Sequence, residues 1–289
     1  MGNWLEYMGK PLSKIDLKKL SILEDEADFG FEQITPFLSR LQKGNSVLEV
    51  GCGPGILLDK IALKYPELNF SGVEPGGEGF RIFIELLESF KKRANVKLLR
   101  RGYENLEVGE KFDFIFLVNV FEHLPNWRHF LDFLKFALSP QGTCLILCPN
   151  YHFPYEPHFK LPVIINKFVT YHLFSPLIKK FEQENEYVGL WNSLNFVKLR
   201  EILDHCSKSK LRVKQDQKII SDLLIRLNKD DEFKSRQGVV GIPAIIATKI
   251  GLLGLLIKSR FFRDRLPYLK LEISHPSKQK HNSEFLISN

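Results

Sequence analysis

The sequence predicts an α/β fold built on a doubly wound parallel sheet, and three observations carry that expectation. Strand-like and helix-like runs alternate five times between residues 47 and 148, the order that yields parallel strands joined by crossover helices. The run 112–119 is almost wholly apolar, as befits a central strand covered on both faces. The third observation is a glycine ladder, Gly51-Cys52-Gly53-Pro54-Gly55, directly after Val47-Leu48-Glu49-Val50. Such a ladder belongs to a tight strand-to-helix turn, where missing Cβ atoms let backbone N–H groups approach a ligand closely.

Taken in order, residues 1–44 form a helical preface, because Phe31, Ile34, Phe37, Leu38 and Leu41 share one apolar face despite Pro36. That face is expected beside the first strand. Lys43-Gly44-Asn45 ends the preface and Val47 opens the strand. After Gly55, the residues Leu58, Ile61, Ala62 and Tyr65 mark a helix that points its N-terminal N–H groups at the glycine turn, and Pro66 ends it. A second strand, 69–73, finishes at Glu74, 19 residues beyond Gly55. In a parallel sheet that carboxylate emerges beside the glycine turn, placed to accept hydrogen bonds from both hydroxyls of a ribose. A helix over 80–92, a third strand over 96–99 and a loop over 101–106 follow. The fourth strand ends at Asn119, and Glu122-His123-Leu124-Pro125 comes just beyond it. A helix over 130–138, the turn Ser139-Pro140-Gln141-Gly142 and a fifth strand over 143–148 complete the series. Further on, 193–205 reads as a covering helix, 211–213 as part of a sixth strand and 268–273 as a seventh.

At 289 residues and 44% hydrophobic, the chain is long enough for one large core with insertions. Its net charge of +7 suits an anionic substrate, a membrane surface or a nucleic acid without choosing among them. No compact basic-aromatic stripe marks a nucleic-acid track. The four cysteines include no C-x-x-C pair, and Cys144 and Cys148 stand about 13 Å apart on one strand, too far for a bridge. Reduced thiols in a cytoplasmic setting are expected. Met1-Gly2-Asn3-Trp4-Leu5-Glu6 begins like a myristoylation site but has Glu6 where Ser or Thr is needed, and Lys10, Lys14, Lys18 and Lys19 interrupt any signal-peptide core.

The ligand follows from the glycine spacing. The chain reads G-x-G-x-G, with Ile56 next, whereas a dinucleotide fingerprint is G-x-G-x-x-G and a phosphate-clamping loop carries Lys-Ser or Lys-Thr. A nucleoside without a phosphate chain remains. The pattern Glu49-x-Gly51-x-Gly53-x-Gly55 resembles the first motif of the class I S-adenosylmethionine-dependent methyltransferases. The segment Glu122-His123-Leu124-Pro125 and the helix-Ser-Pro-x-Gly-strand passage are similar to those of the ubiquinone-biosynthesis type. Together they cover about 45–150. This resemblance implies a Rossmann-like, mostly parallel seven-stranded sheet over 45–289, with the seventh strand antiparallel between the fifth and sixth. Inserts at about 151–190 and 217–267 would then lie over the substrate side. It also implies S-adenosyl-L-methionine as cofactor, bound by Glu49, Gly51, Gly53, Gly55 and Glu74, with Asn119 touching the methionine half. Where many relatives place an adenine-binding aspartate, this chain has Gly102. Backbone groups or stacking by Tyr103 are the alternatives.

Methyl transfer from a sulfonium mainly requires alignment, and an acceptor that must lose a proton gains from a nearby base. His123 is the candidate catalytic base; its alternative is that Glu122 and His123 merely open the next helix. Asn119 could equally be a strand cap. No metal is expected: some quinone-pathway enzymes carry a glutamate three residues ahead of the Glu-His pair, and Asn119 stands there. Cys148, His152 and His158 lack a fourth zinc partner. The aromatic, proline-rich stretch 150–159 reads either as substrate wall or as a packed loop. The apolar run 238–257 has the length of a bilayer span, but Lys249, its glycines and Pro243 favour a lid over the substrate, with peripheral membrane contact through 238–265 as the competing use. The favoured function is methylation of a small or lipid-like acceptor, at oxygen because the N-P-P-Y type of segment is absent. A non-catalytic accessory protein is the alternative from another class.

Overall fold

The computed structural model describes residues 17–77, 83, 87, 93–107, 109–230, 233–234 and 264–276. Apart from Phe83 and Leu87, the helix expected over 80–92 lies outside these residues, as do the run 238–257 and the N-terminal motif.

Seven strands form one sheet. They are β1 (Ser46–Val50), β2 (Asn69–Val73), β3 (Val96–Leu99), β4 (Phe112–Val118), β5 (Leu138–Pro149), β8 (Arg212–Gln215) and β9 (Tyr268–Ser274). In the order β3-β2-β1-β4-β5-β9-β8, β9 runs opposite to the other six strands, pairing antiparallel with both β5 and β8. The order reverses outward from β1, which pairs in parallel with β2 on one side and β4 on the other. Ligands of such sheets bind at the carboxyl edge of this switch point.

Alternation along β4 explains the two cores. Phe114 and Phe116 point into one, with Val47, Leu145 and Leu147; Ile115 and Leu117 point into the other, with Leu48, Val50 and Ile146. The first core is covered by α1 (Leu17–Leu38), α2 (Ile56–Lys64) and α7 (Lys218–Lys229), the second by α3 (Trp127–Ala137) and α6 (Leu199–Lys208). Helix α1 has the apolar face expected of it, with Ile34 and Leu38 buried. It lies against α2 and, by stacking Phe37 on Phe114 at 5.2 Å, over β4. The expected turn 139–142 is a bulge: Phe112 pairs with Leu138 and Phe114 with Thr143. A Cβ on Gly142 would stand 2.7 Å from the Phe112 carbonyl, so only glycine lets the strands close.

The insert after β5 carries a short ladder, β6 (Tyr155–Glu156) with β7 (Leu161–Pro162), then α4 (Lys167–Asn185) and the single turn α5 (Leu190–Ser193). It has its own small core of Tyr151, Phe159, Ile178, Leu190, Trp191 and Leu194. The helix expected over 193–205 starts six residues later, at Leu199. The delay has a cause: the Asn195 amide donates to the carbonyls of Phe121 and Leu124 at 2.8 and 3.1 Å, and its backbone N–H to that of Glu122 at 2.7 Å. Those bonds, with Phe196 at φ +55, keep 194–198 out of the helix. All four cysteines are free and buried. Among the described residues, no helix is long and apolar enough to cross a membrane.

Candidate active site

The carboxyl ends of β1, β2, β4 and β5 open on one cavity of about 1840 Å³. Its nucleoside side is built on the glycine turn. Gly51 has φ +71, and a Cβ there would meet Val120 Cγ1 at 2.5 Å. Gly51→Ala therefore adds both left-handed strain and a clash, and is expected to cost roughly 2–4 kcal/mol in urea unfolding. Adding Val120→Ala should recover the packing share only.

Gly53 has φ +52, and a Cβ there would touch the Phe83 ring at 3.5 Å. Its N–H donates to Glu74 Oε2 at 2.9 Å, and the Gly76 N–H donates to Glu74 Oε1 at 2.8 Å. Glu74 is thus pinned beside the turn with lone pairs remaining on both oxygens. Burial raises its pKa, and the two backbone donors offset only part of that rise. Glu49 is buried more deeply, and its Oε2 has no hydrogen-bond partner. Burial first, then the neighbouring Glu74 charge, pushes Glu49 well above the carboxylate range. Gly55 stands apart: it does not line the cavity but sits at φ +80 as the N-cap of α2. S-adenosylmethionine fits this edge, because an unsatisfied carboxyl oxygen on Glu49, the oriented Glu74 carboxylate and the left-handed glycine turn converge on the cavity there.

At the β3 end, Gly102, Tyr103 and Glu104 line the cavity. The Tyr103 ring is mostly committed to the core, 5.0 Å from Phe130, with its hydroxyl 3.2 Å from His129 Nδ1. The space where a side chain at 102 would sit is taken by Glu104, whose Oε2 lies 2.2 Å from that Cβ position. Sequence reading passed over Glu104.

Past β4 the cavity changes character. Asn119 has φ +54, and its amide is engaged on both sides: Nδ2 donates to Glu26 Oε2 at 3.1 Å, and Oδ1 accepts from the Tyr268 hydroxyl at 2.6 Å. The next residues form a 3₁₀ turn, Phe121–His123, and α3 starts separately at Trp127. His123 lines the cavity. Its Nδ1 is 2.8 Å from Ser193 Oγ, which itself donates to the Leu190 carbonyl at 2.8 Å. With that proton used, the serine accepts from Nδ1–H, leaving Nε2 as the basic nitrogen. Burial, then the cations His158 and Lys167, holds His123 well below its usual pKa.

Behind it, Glu122 is fully buried with neither carboxyl oxygen hydrogen-bonded. Burial pushes it up to about 7, against the pull of His158. His158 Nδ1 pairs with Glu156 Oε1 at 2.6 Å; burial opposes its charge, but Glu156 and then Glu122 outweigh that and raise its pKa. One donor atom each from Glu122, His123 and His158 falls within 4.8 Å of the others. Cys148 and His152 are not in this group. Of the stretch 150–159, Phe153, Tyr155, Pro157 and His158 line the cavity, while Asn150 is structural, donating to the carbonyls of Asp264 and Leu266.

Comparison with known proteins places this geometry. A family model described as a methyltransferase domain matches residues 24–207. An uncharacterized protein of Mycobacterium tuberculosis is 30% identical over 225 residues, 76% of this chain and 75% of its own length. The (S)-coclaurine N-methyltransferase of Papaver somniferum is 30% identical over 138 residues, 46% of this chain and 38% of that enzyme. A ubiquinone biosynthesis O-methyltransferase of Nitrobacter winogradskyi is 28% identical over 141 residues, 48% of this chain and 52% of its length.

Proposed function

The chain belongs to the methyltransferase domain family, and from that premise we propose that this S-adenosylmethionine-dependent enzyme methylates a small, lipophilic acceptor at oxygen. The observation that carries the proposal is His123, which lines the cavity with its Nδ1 held on Ser193 and its pKa kept low by burial. A hydroxyl acceptor, like a protonated amine, must lose a proton, and a buried imidazole can take it; oxygen is favoured because Asn119-Val120-Phe121-Glu122 stands after β4 in place of an N-P-P-Y type of segment. The walls there, Phe153, Tyr155, Pro157, Phe181 and Leu190, give apolar area beside the polar groups of Lys160, Asn185 and Asn192, which suits a lipophilic ring or chain with a polar end. The two named relatives act, by their descriptions, at nitrogen and at oxygen, so relatedness alone does not choose.

When bound, the cofactor supplies an electrophilic methyl on a positively charged sulfur. Glu74 would hold the ribose hydroxyls, Glu49 and the backbone at Gly51 and Gly53 would frame the adenosyl chain, and Asn119 would stand beside the methionine half. Gly55 sets the turn. His123 Nε2 takes the acceptor proton, Ser193 keeps the ring oriented, and the aromatic walls hold water away from the acceptor. No nucleophilic side chain is needed, since alignment of acceptor and methyl carries most of the rate.

The test is transfer of a radiolabelled methyl group to a panel of phenols, hydroxy-acids and matched amines. Methylation of hydroxyl acceptors, with amines at least tenfold slower, is the expected result; preference for amines would reverse the acceptor assignment.

A further inference from the structure

A carboxylate and a guanidinium meet at the β4 and β9 end of the cavity, on helices that carry no motif. Glu26 belongs to α1 and Arg226 to α7, 200 residues apart, yet Arg226 Nη2 donates to Glu26 Oε1 at 3.2 Å. Both line the cavity. The pair is braced on several sides. Asn119 donates to the other Glu26 oxygen and is itself held by Tyr268. Arg226 Nε donates to Asp230 at 3.3 Å, and the guanidinium lies 4.2 Å from the Phe233 ring centroid and 5.1 Å from that of Phe29. These contacts use two of the five guanidinium N–H donors. The pair is part-buried, with the Arg226 and Glu26 side chains 12% and 25% exposed, so it adds little to stability on its own, and its place on a cavity wall presents both charges to a ligand.

The ligand's chemistry follows from position and charge. Glu74 follows β2, Asn119 follows β4, and β1 lies between them, so at about 4.8 Å per strand the two stand roughly 10 Å apart across the glycine turn. A nucleoside gripped at its ribose by Glu74 thus directs its sulfur-linked chain toward the pair. An anion alone would meet Glu26 and Asp230, and a cation alone would meet Arg226. A group bearing both charges on one carbon satisfies both.

We infer that Glu26 and Arg226 form a clamp for an α-amino-acid zwitterion, the carboxylate going to Arg226 and the ammonium to Glu26, with Asn119 and Tyr268 as positioning residues for Glu26. The inference rests on the cofactor placement proposed above, which puts such a zwitterion at the far end of the ligand.

Calorimetric titration of the full chain with S-adenosylhomocysteine and with 5′-methylthioadenosine separates the two ideas, since the second ligand keeps adenosine and sulfur but lacks the amino-acid end. Glu26→Gln and Arg226→Met are each expected to weaken S-adenosylhomocysteine roughly ten- to hundredfold and to change methylthioadenosine less than twofold, which also shows that the variants fold. Equal losses for both ligands, or an unchanged S-adenosylhomocysteine affinity, would overturn the clamp. Failure of the cofactor placement has a different signature: wild type binds neither ligand, or Glu74→Ala leaves both affinities intact.

Discussion

Glu74→Ala is expected to weaken binding of S-adenosylhomocysteine about a hundredfold and to lower kcat/KM by a similar factor. The carboxylate is held by the N–H groups of Gly53 and Gly76, so its remaining lone pairs have fixed directions before any ligand arrives. Two hydrogen bonds to a charged acceptor contribute about 1.5 kcal/mol each at the low end, together about 3 kcal/mol, which is the hundredfold. The loss should fall on affinity, with kcat at saturating cofactor changed far less, because Glu74 is remote from the acceptor side. Glu74→Gln keeps one acceptor oxygen and should fall between. Titration calorimetry decides the matter; an affinity within threefold of wild type would mean that the ribose does not lie on Glu74.

His123→Ala is expected to lower kcat by roughly 10²–10⁴ with little change in cofactor affinity. The pH profile gives a second readout. Burial disfavours the imidazolium, so the folded pKa of His123 lies below its unperturbed value. The neutral, proton-accepting form therefore persists as pH falls through 6.5, and the acid limb of kcat should appear below that point. In His123→Ala this limb should vanish and the rate should climb with pH as acceptor hydroxyls ionise unaided. Ser193→Ala, which frees the ring to choose its tautomer, should give an intermediate loss. An acid limb at or above pH 6.5, or full activity in His123→Ala, would remove the histidine from the chemistry.

How much of this was legible beforehand depends on how local the cause is. The strands over 69–73 and 96–99, the glycine turn and the place of Glu74 are written in short stretches whose pattern and spacing decide their geometry. The antiparallel last strand followed from family resemblance alone. Ser193, by contrast, meets His123 across 70 positions, Tyr268 meets Asn119 across 149 and Arg226 meets Glu26 across 200. Nothing near those residues announces a partner, because helix packing on the sheet makes the meeting. The late start of α6 has the same origin: helical periodicity from 193 gives way to the bonds that tie Asn195 to the 3₁₀ turn. Glu104 was missed for a smaller reason, since a glutamate folding back over a glycine leaves no periodic trace.

The aromatic cluster that Tyr151 and Trp191 share beyond β5 is packed separately from the two sheet cores. On the acceptor placement proposed above, acceptor choice is thereby separated from cofactor grip. A chimera exchanging 151–194 for the corresponding stretch of a sister protein would redirect which molecule is methylated while inheriting the adenosyl site untouched, and divergence within such a lineage can proceed by replacing this one module.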